Sequence, residues 1–366
     1  MRIVHVVTSL AGGGLERVVI ELVRHAERAG HQSHIVCLNR TAKMTDELRE
    51  DQFTVLDSGR RFSMLAPVEL TRCLRGHEPD VLHLHSGVWF KSAYAGRLAR
   101  LAPIVLTDHG RPHPDALVGR SFDGLAARIA DQVVAVSAPL AEYLAAKLHV
   151  PRGKLTVIKN GIRIQALATE AERRSVRAEL GIDANALVLG SVGRLDPVKA
   201  IDRLVAAFAD LFHSGAWQPA SLVLLLVGEG SNRVELERQV EALGVGGMVR
   251  FMGQRSDVHR LLGAMDVFVQ TSLSEGTSLA VLEAMAAGVP VVATAVGGTP
   301  DVLGKEGADQ LVGVGDHAAL TAALARLLHD PTERERQRAR GRQRVEQTYS
   351  FEMMACSYLE LYARWT

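Results

Sequence analysis

The chain has 366 residues and a formal net charge of +1, and 47% of its residues are hydrophobic and 23% charged. This composition is that of a soluble globular protein of about two domains, and the small net charge gives no argument for nucleic-acid binding. Cys37, Cys73 and Cys356 are far apart and lack a CxxC spacing, which argues against a disulfide framework or zinc site and favours a reducing cytoplasm.

The first residues, MRIVHVV, are apolar but too short for the core of a signal peptide, because Thr8, Ser9 and a run of glycines follow them. They predict a buried first strand. No uninterrupted apolar run approaches the ~20 residues that span a bilayer. We therefore expect a cytoplasmic protein, with any membrane contact peripheral and at the inner face of the membrane.

The first half of the chain predicts alternating strands and helices. Residues 3–7 predict a strand, 12–14 a tight loop, 15–29 an amphipathic helix and 34–38 a second strand. Further strands are predicted at 81–84, 104–107, 133–136 and 156–158, and helices at 91–101 and 139–148. Short apolar strands between helices are typical of a parallel sheet that helices cover on both faces.

A charged, helical connector at about 166–180 precedes a second series of the same kind. Strands are predicted at 188–192, 222–227, 249–251, 267–270 and 289–293, and helices at 200–212, 233–243, 258–264 and 279–287. Two doubly wound halves follow from this pattern. Ligands in such sheets bind beyond the carboxyl ends of the strands, so the cleft between the halves is the expected site.

The C-terminal part predicts two more helices. Residues 332–344 are dense in charge, with glutamates and arginines at helical spacing. We interpret this helix as a solvated face, with a patch for an anionic membrane as the alternative. Residues 351–365 are apolar at helical spacing and predict a helix that packs as a cross-brace.

The glycine run 12–14 resembles the start of a dinucleotide-binding fingerprint, but Arg17 stands where its third glycine belongs. The second strand ends in Asn39 and Arg40, without the acidic residue that binds a ribose, so NAD is not expected, although Arg40 could meet a 2′-phosphate. The loop still permits close approach of a ligand to a helix start, and we favour that role over a plain tight turn.

Four histidines, His83, His85, His109 and His113, lie near two predicted strand ends. Their spacing matches no common zinc pattern and no acidic residue completes a ligand set, so no metal is expected. We favour a single ligand-facing histidine, His109. His83 and His85 are expected on opposite faces of their strand, with at least one of them a hydrogen-bonded core residue.

In GRLDPVKA, Arg194 follows a predicted strand and Lys199 is expected at the start of the next helix. Two cations at a helix N-terminus can hold a diphosphate and stabilise the charge that develops on it as a leaving group. The sequence has no Asp-x-Asp for a metal-chelated diphosphate, so both cations would replace Mg²⁺. Either residue alone could be surface charge, but the pair favours function.

The stretch 272–298 joins a loop with Glu275 to a helix with Glu283 and then to an apolar strand, and Ser278 is expected to cap the helix. The free N–H groups of a helix start favour a phosphate, whereas Glu275 favours hydroxyl groups or a cation. A sugar joined to a phosphate satisfies both. Each glutamate alone could equally be a solvated surface residue.

The chain resembles the retaining family-four glycosyltransferases of the GT-B fold, also called glycosyl transferases group 1. Four segments carry the resemblance in order: GRLDPVKAIDRLVAAF, LLLVGEGSNRVELE, VRFMGQRSDV and SLSEGTSLAVLEAMAAGVPVVATAVGG. GGGLERVVIELV, DVLHLH, AVSAPLAEYL and KNGI extend it over nearly the whole chain. The resemblance implies an α/β protein of two Rossmann-like domains facing each other across a cleft: an acceptor domain at 1–165, on which helix 351–366 packs back, and a nucleotide-sugar donor domain at 166–350.

The resemblance also implies roles for individual residues. Glu275 would contact donor-sugar hydroxyls, Glu283 the ribose, and Arg194 and Lys199 the diphosphate, while His109 would face the donor sugar. Further donor contacts are implied at Gly193, Asn160, Gly276, Thr277, Ser278 and Leu279, and a phosphate or acceptor loop at Gly12, Gly13 and Gly14. Family members retain the anomeric configuration without an obligatory metal, by same-face attack in which the departing phosphate takes the acceptor proton.

Two positions depart from the family pattern. Ala200 follows Lys199 where a glycine is usual, which could tighten the phosphate corner. Arg163 stands where an acidic residue is common, which could alter donor choice or the hinge. Neither departure removes a residue with an assigned chemical role.

The predicted function is a metal-independent, retaining glycosyltransferase of the hexosyltransferase type, with no cofactor. It would move a sugar from a UDP- or GDP-sugar to a saccharide or lipid-linked saccharide acceptor in polysaccharide or glycoconjugate biosynthesis. The alternatives are a GT-B nucleotide-sugar epimerase or hydrolase, a non-catalytic nucleotide-sugar-binding partner and, more distantly, an NADP dehydrogenase.

Overall fold

The computed structural model describes residues 1–10, 14–39, 48–56, 66–101, 103–110, 117–218 and 221–365. The chain forms two compact units. Unit 1 is Met1–Gly161 with Phe351–Thr366, and unit 2 is Ile162–Ser350. The chain thus changes unit slightly before the expected boundary at 165, and its last helix belongs to unit 1.

Unit 1 is built on a parallel sheet, which has seven strands within the described residues. The strands are β1 (Arg2–Val7), β2 (Gln32–Cys37), β3 (Phe53–Val55), β4 (Val81–Leu84), β5 (Ile104–Asp108), β6 (Gln132–Ala135) and β7 (Leu155–Val157). Their order is β3-β2-β1-β4-β5-β6-β7. The order reverses direction between β1 and β4, which is the arrangement of a doubly wound sheet.

The helices of unit 1 follow the strands in sequence. They are α1 (Gly14–Arg28), α2 (Val68–His77), α3 (Trp89–Leu98), α4 (Leu117–Ile129) and α5 (Ala138–Lys147). Ser137 caps α5, because its side chain accepts a hydrogen bond from the Leu140 N–H. Pro139 lies in the first turn of α5, where its missing N–H costs no helical hydrogen bond.

Unit 2 repeats the design with a six-stranded parallel sheet, counted over the residues that the structure describes, in the order β10-β9-β8-β11-β12-β13. The strands are β8 (Leu187–Val192), β9 (Leu222–Val227), β10 (Val249–Gly253), β11 (Val267–Gln270), β12 (Val291–Thr294) and β13 (Leu311–Val312). The helices are α6 (Glu170–Glu179), α7 (Ile201–His213), α8 (Arg233–Ala242), α9 (Val258–Gly263), α10 (Leu279–Ala286), α11 (Thr299–Leu303), α12 (His317–His329) and α13 (Pro331–Thr348), after which α14 (Phe351–Tyr362) returns the chain to unit 1.

β9 illustrates why a fully buried strand can be predicted from sequence. All six residues of LVLLLV are buried. Val223, Leu225 and Val227 join one apolar cluster and Leu222, Leu224 and Leu226 join another. Successive side chains of a strand point to opposite faces, so helices cover both faces of this sheet.

The connector predicted at 166–180 is an integral part of unit 2. Thr169 and Glu172 form a capping box at the start of α6. Arg177 is buried and donates to the carbonyl oxygens of Ala184, Ala186 and Ala264, and its guanidinium lies 2.7 Å from a carboxylate oxygen of Asp266. The helix is therefore fixed to the sheet by hydrogen bonds as well as by apolar contacts.

Three elements of unit 1 were not predicted: α2, β3 and α4. β3 is three residues long and only partly buried, which gives little apolar signal. α4 exposes Leu117 and Val118 to solvent, so its apolar residues do not mark a buried face. In the part of the chain described here, no helix is long and apolar enough to cross a membrane.

Candidate functional site

The corner after β8 carries the two cations predicted to hold a diphosphate. Pro197–Lys199 form one 3-10 turn, and α7 begins only at Ile201. Ala200, between them, has a φ of 46° in the left-handed region, which interrupts the helix. Lys199 therefore precedes α7, and the prediction that it starts the helix was wrong. Arg194 is 73% exposed and lies 2.7 Å from a carboxylate oxygen of Asp196.

Glu275 lies against Lys199. The distance from Lys199 Nζ to Glu275 Oε1 is 2.5 Å, and Ser272 Oγ donates a 2.6 Å hydrogen bond to the same oxygen. The Lys199 side chain is 25% exposed and that of Glu275 10%. The pair is thus largely shielded from water but still accessible to a ligand. The two residues, which were expected to contact different parts of one ligand, are direct neighbours.

Hydrogen bonds to backbone carbonyl groups join the Glu275 loop to the Lys199 turn. Thr271 Oγ1 donates to the carbonyl oxygens of Lys199 and Ala200 at 3.0 and 2.9 Å, and the Leu273 N–H donates to the Val198 carbonyl at 2.8 Å. The ion pair is therefore held by its backbone on both sides.

A glycine closes the other side of the loop. Gly297 has a φ of +50°, and a Cβ built on it would lie 1.7 Å from the Glu275 carbonyl oxygen, closer than any side chain allows. The Gly298 N–H donates to the Gly276 carbonyl at 2.8 Å. Gly297 is thus needed for the backbone of Glu275 to take its position.

α10 begins directly after this loop. Ser278 caps it as predicted, because its Oγ accepts a hydrogen bond from the Val281 N–H. Gly276, Thr277 and Ser278 are buried and Leu279 is partly exposed. The positive end of the helix dipole therefore lies three residues after Glu275 in sequence, counted to the cap Ser278, and favours an anionic group. Glu283 is partly exposed further along α10.

Unit 1 contains a chain of hydrogen-bonded histidines. His5 in β1 is in register with His83 in β4. His5 Nδ1 lies 3.1 Å from His85 Nε2, and His85 Nδ1 lies 3.0 Å from His109 Nε2. The ring centroids of His83 and His85 are 4.1 Å apart. The expectation that these two point to opposite faces was wrong, because side chains two positions apart on a strand project to the same face.

α14 completes this cluster from the far end of the sequence. Tyr362 OH lies 2.6 Å from His83 Nδ1, and Thr107 Oγ1 lies 2.7 Å from His83 Nε2. Tyr358 OH in turn lies 3.2 Å from Thr107 Oγ1. His83 is thus the hydrogen-bonded core residue that was expected of one of the strand histidines.

Burial keeps these imidazoles neutral. It lowers the pKa of His5 to about 3 and that of His109 to about 4, and it holds the pKa of His83 and His85 well below the usual range, with a further lowering from neighbouring histidines. Ring nitrogens of His5, His83 and His85 lie within 4.8 Å of one another. A metal there would have to displace the hydrogen bonds just described, so the cluster fits a neutral network better than a metal centre.

Two of the predicted site residues in unit 1 carry buried polar atoms without a hydrogen-bond partner: His109 Nδ1 and Asn160 Oδ1. Such atoms are uncommon in native proteins and call for an explanation. Gly14 is the first residue of α1. Gly12, Gly13, Arg40 and His113 lie outside the described residues.

Sequence reasoning missed three neighbours of the predicted residues. Ser272 was not assigned to Glu275, although a hydroxyl three positions earlier in a loop is a common partner. Asp196, within GRLDPVKA, pairs with Arg194 and also accepts from the Ser231 hydroxyl. His5 gave no signal, since its partner His85 is 80 positions away and only the sheet order joins them.

Comparison with protein families covers most of the chain. Residues 172–344 match the model of "Glycosyl transferases group 1", and residues 12–166 match that of "Glycosyltransferase Family 4".

Individual proteins are similar over the same span. The chain is 30% identical to the lipopolysaccharide core biosynthesis glycosyltransferase LpsE of Rhizobium meliloti, with 96% of both chains covered. It is 28% identical to LpsD of the same organism, with 100% of this chain and 98% of LpsD covered. Among solved structures, HepE of Anabaena in complex with UDP-glucose superposes with a TM-score of 0.86 at 22% identity over the full length of both chains. These likenesses, together with the two doubly wound units, give the GT-B fold.

Proposed function

Because this chain belongs to the glycosyl transferases group 1 and is therefore a glycosyltransferase, we propose that it moves a hexose from a UDP- or GDP-sugar to a saccharide or lipid-linked saccharide acceptor, in polysaccharide or lipopolysaccharide biosynthesis. The names of the Rhizobium relatives, which act in lipopolysaccharide core biosynthesis, support the acceptor class. The complex of HepE with UDP-glucose supports a nucleotide-sugar donor. Retention of configuration and independence of metal are part of the proposal.

One observation carries the donor site: the Lys199–Glu275 pair beside the start of α10. Lys199 can release Glu275 and donate to a phosphate oxygen, while Glu275 accepts from sugar hydroxyls and Ser272 still anchors its Oε1. The capped helix start adds its dipole for the same phosphate. Donor binding would thus replace the Lys199–Glu275 hydrogen bond by charge-assisted hydrogen bonds to the phosphate and the sugar, which limits the electrostatic cost of binding.

Chemistry at this site needs stabilisation of a leaving diphosphate. Arg194 and Lys199 would supply the positive charge that grows in importance as the bond to the sugar breaks. The leaving phosphate oxygen then accepts the proton of the acceptor hydroxyl, which attacks from the same face and so retains the anomeric configuration. In this scheme no side chain has to act as a nucleophile.

Two polar atoms of unit 1 suit a saccharide ligand. His109 Nδ1 has no partner and can donate or accept a hydrogen bond. Asn160 Oδ1 also has no partner and can accept one. Both atoms therefore suit sugar hydroxyls. This offers a reason for two buried polar atoms that the protein itself leaves unsatisfied.

The first experiment measures release of UDP or GDP from a panel of nucleotide sugars, with and without a lipopolysaccharide-core saccharide, in the presence of EDTA. Wild type should turn over only when donor and acceptor are both present. Glu275→Gln, which keeps the Ser272 hydrogen bond, should lower kcat by about a hundredfold, since single electrostatic contacts to a transition state are worth that much. Its urea-unfolding midpoint should change little.

A matched control removes an exposed ion pair from the same unit. Arg238→Gln breaks the contact with Glu235, and both side chains are largely exposed, so activity should stay at the wild-type level. Donor breakdown without acceptor would instead favour a hydrolase or epimerase, and binding without turnover a non-catalytic partner. Wild-type kcat in Glu275→Gln would overturn the assignment of the site.

A further inference from the structure

The histidine network of unit 1 contains a chain of three imidazoles, which starts in β1 and passes the ends of β4 and β5. His5 Nδ1 lies 3.1 Å from His85 Nε2, and His85 Nδ1 lies 3.0 Å from His109 Nε2. His5 and His85 are 1% and 0% exposed, whereas His109 is partly exposed. The chain therefore connects two rings in the interior of unit 1 to one that solvent or a ligand can approach.

Each ring of this chain carries one proton. Burial lowers the pKa of His5 to about 3 and that of His109 to about 4, and it holds the pKa of His85 well below the usual range. The three rings are thus neutral at pH 7, and a neutral imidazole has one nitrogen that donates and one that accepts. A hydrogen bond between two such rings therefore fixes the tautomer of one ring once that of the other is set.

Two arrangements of the protons satisfy both hydrogen bonds. In the first, all three protons lie on Nδ1, so that His5 donates to His85 and His85 donates to His109. In the second, all three lie on Nε2, so that His109 donates to His85 and His85 donates to His5. Any other arrangement breaks a hydrogen bond. The Nδ1 of His109 is thus a donor in the first arrangement and an acceptor in the second.

The two ends of the chain differ in a way that favours the second arrangement. Over the described residues, His109 Nδ1 is a buried polar atom without a hydrogen-bond partner, and His5 Nε2 is not among such atoms. A proton on His109 Nδ1 would be an orphaned donor. Buried N–H groups without a partner are rarer in proteins than acceptors with an unused lone pair. With the protons on Nε2, the unpartnered atom is an acceptor.

We propose that His5 and His85 are positioning residues that hold the proton of His109 on Nε2, so that Nδ1 accepts a hydrogen bond from a hydroxyl of the bound sugar. This role rests on the proposed function, since the ligand is the sugar of a nucleotide-sugar donor. A hydroxyl can donate to the lone pair, whereas a ring oxygen or a fluorine substituent cannot. The buried ring of His5 would thus influence which sugars are accepted.

Nuclear magnetic resonance of the full chain, labelled with ¹⁵N in its histidines, tests the tautomers without a ligand. Protonated and bare imidazole nitrogens resonate far apart, and His109→Asn assigns the signals of His109. Wild type should show a bare Nδ1 and a protonated Nε2. In His5→Phe either arrangement leaves one N–H unpaired, on His85 or on His109, so His109 should populate both tautomers. His5→Asn, whose amide oxygen can accept from His85, should restore the single tautomer.

Binding of nucleotide sugars and their monofluoro analogues gives the second readout. Wild type should bind one of the monofluoro analogues about tenfold more weakly than its parent sugar, because fluorine cannot donate to His109 Nδ1. In His5→Phe this ratio should fall by about twofold or more, since the molecules that carry the proton on Nδ1 do not need a hydroxyl donor. In His5→Asn the ratio should return to the wild-type value.

Tyr362→Phe is the matched control, because it removes a hydroxyl bonded to His83 in the same network and leaves the chain of three rings intact. It should keep the tautomer of His109 and the binding ratio. A protonated His109 Nδ1 in wild type would overturn the proposal, whether or not His5→Phe folds. A single tautomer or an unchanged ratio in folded His5→Phe, or equal changes in Tyr362→Phe, would also overturn it. Absence of turnover with every donor would contradict the proposed function instead, because the tautomers are measured without substrate. Circular dichroism verifies that each variant is folded.

Discussion

Ala200 takes a backbone conformation that alanine seldom adopts. Its φ and ψ are 46° and 44°, while its methyl group is buried. The left-handed region places Cβ close to the following carbonyl and costs a non-glycine residue about 1–2 kcal/mol. The carbonyl of this residue and that of Lys199 both accept from Thr271 Oγ1, so the strain lies where the Lys199 turn meets the Glu275 loop.

The variant Ala200→Gly should therefore be more stable than wild type. Glycine adopts the left-handed conformation without strain, which stabilises the folded variant. The variant also loses a buried methyl group and gains conformational entropy in the unfolded state, and both effects destabilise it. We expect the first effect to be larger, with a net gain of roughly 0.5–1 kcal/mol in the free energy of unfolding. Urea unfolding measures it. Ala209→Gly, at a buried position in the interior of α7, is the control and should lose about 1 kcal/mol or more. A loss of stability in Ala200→Gly would contradict the strain.

The histidine network joins the strands β1, β4 and β5 to the helix α14. Apolar packing alone could hold α14 in many rotations, but Tyr362 and Tyr358 must place their hydroxyls next to His83 and Thr107. Tyr hydroxyls in a core need partners, and these contacts select one arrangement of the helix. Because the four imidazoles are buried, this arrangement also couples the stability of unit 1 to pH.

The sign of that coupling follows from the direction of the pKa shifts. The folded protein holds the pKa of His5 at about 3 and of His109 at about 4, whereas in the unfolded chain both return to about 6.5. Below pH ~6.5 these histidines bind protons in the unfolded chain but remain neutral in the folded protein. The free energy of unfolding therefore falls as pH falls from about 6.5 towards 4. Each such histidine contributes about 1.4 kcal/mol per pH unit within that window.

A substitution of His5 isolates one of these protons. His5→Asn keeps an N–H near the Nδ1 position and can still bond to His85, but it does not titrate. Urea unfolding between about pH 5 and pH 7 should show a slope of stability against pH that is smaller than wild type by about one proton. The loss at pH 7 then measures packing, and the change in slope measures the missing titration. An unchanged slope would mean that His5 is not neutral and buried as described.

For the whole molecule, the sequence allowed prediction of both doubly wound units and most of their strands. β9 is an uninterrupted apolar run, and Gly288 and Pro290 mark the end of α10, so local signals suffice there. They do not suffice where a structure depends on distant partners. His5 reaches the histidine cluster only because of the order of the strands, and Tyr362 only because α14 returns to unit 1. The exposed apolar residues of α4 are a separate case, because a sequence pattern of apolar residues normally indicates a buried face.

The same limit applies to the candidate site. Glu275, Glu283, Arg194 and Lys199 could be selected from their motifs, since cations and a helix start at strand ends suit phosphate chemistry. The sequence does not show that Lys199 pairs with Glu275 or that Ala200 is strained. Both depend on contacts between segments more than 70 positions apart, such as the hydrogen bond from the Thr271 hydroxyl to the Lys199 carbonyl, 72 positions away.

Ligand binding tests the site at the scale of the whole chain. A true donor binds the folded protein and not the unfolded one, so at about 100 times its dissociation constant it should raise the free energy of unfolding by about 2.7 kcal/mol. A thermal melt against UDP, GDP and their sugars, with EDTA present, should single out one base. Lys199→Met should abolish the shift, because it removes the phosphate contact and leaves Glu275 charged without its partner, whereas Arg238→Gln should preserve it. A shift of wild-type size in Lys199→Met would place the diphosphate elsewhere, and a shift that requires Mg²⁺ would contradict metal-independent binding.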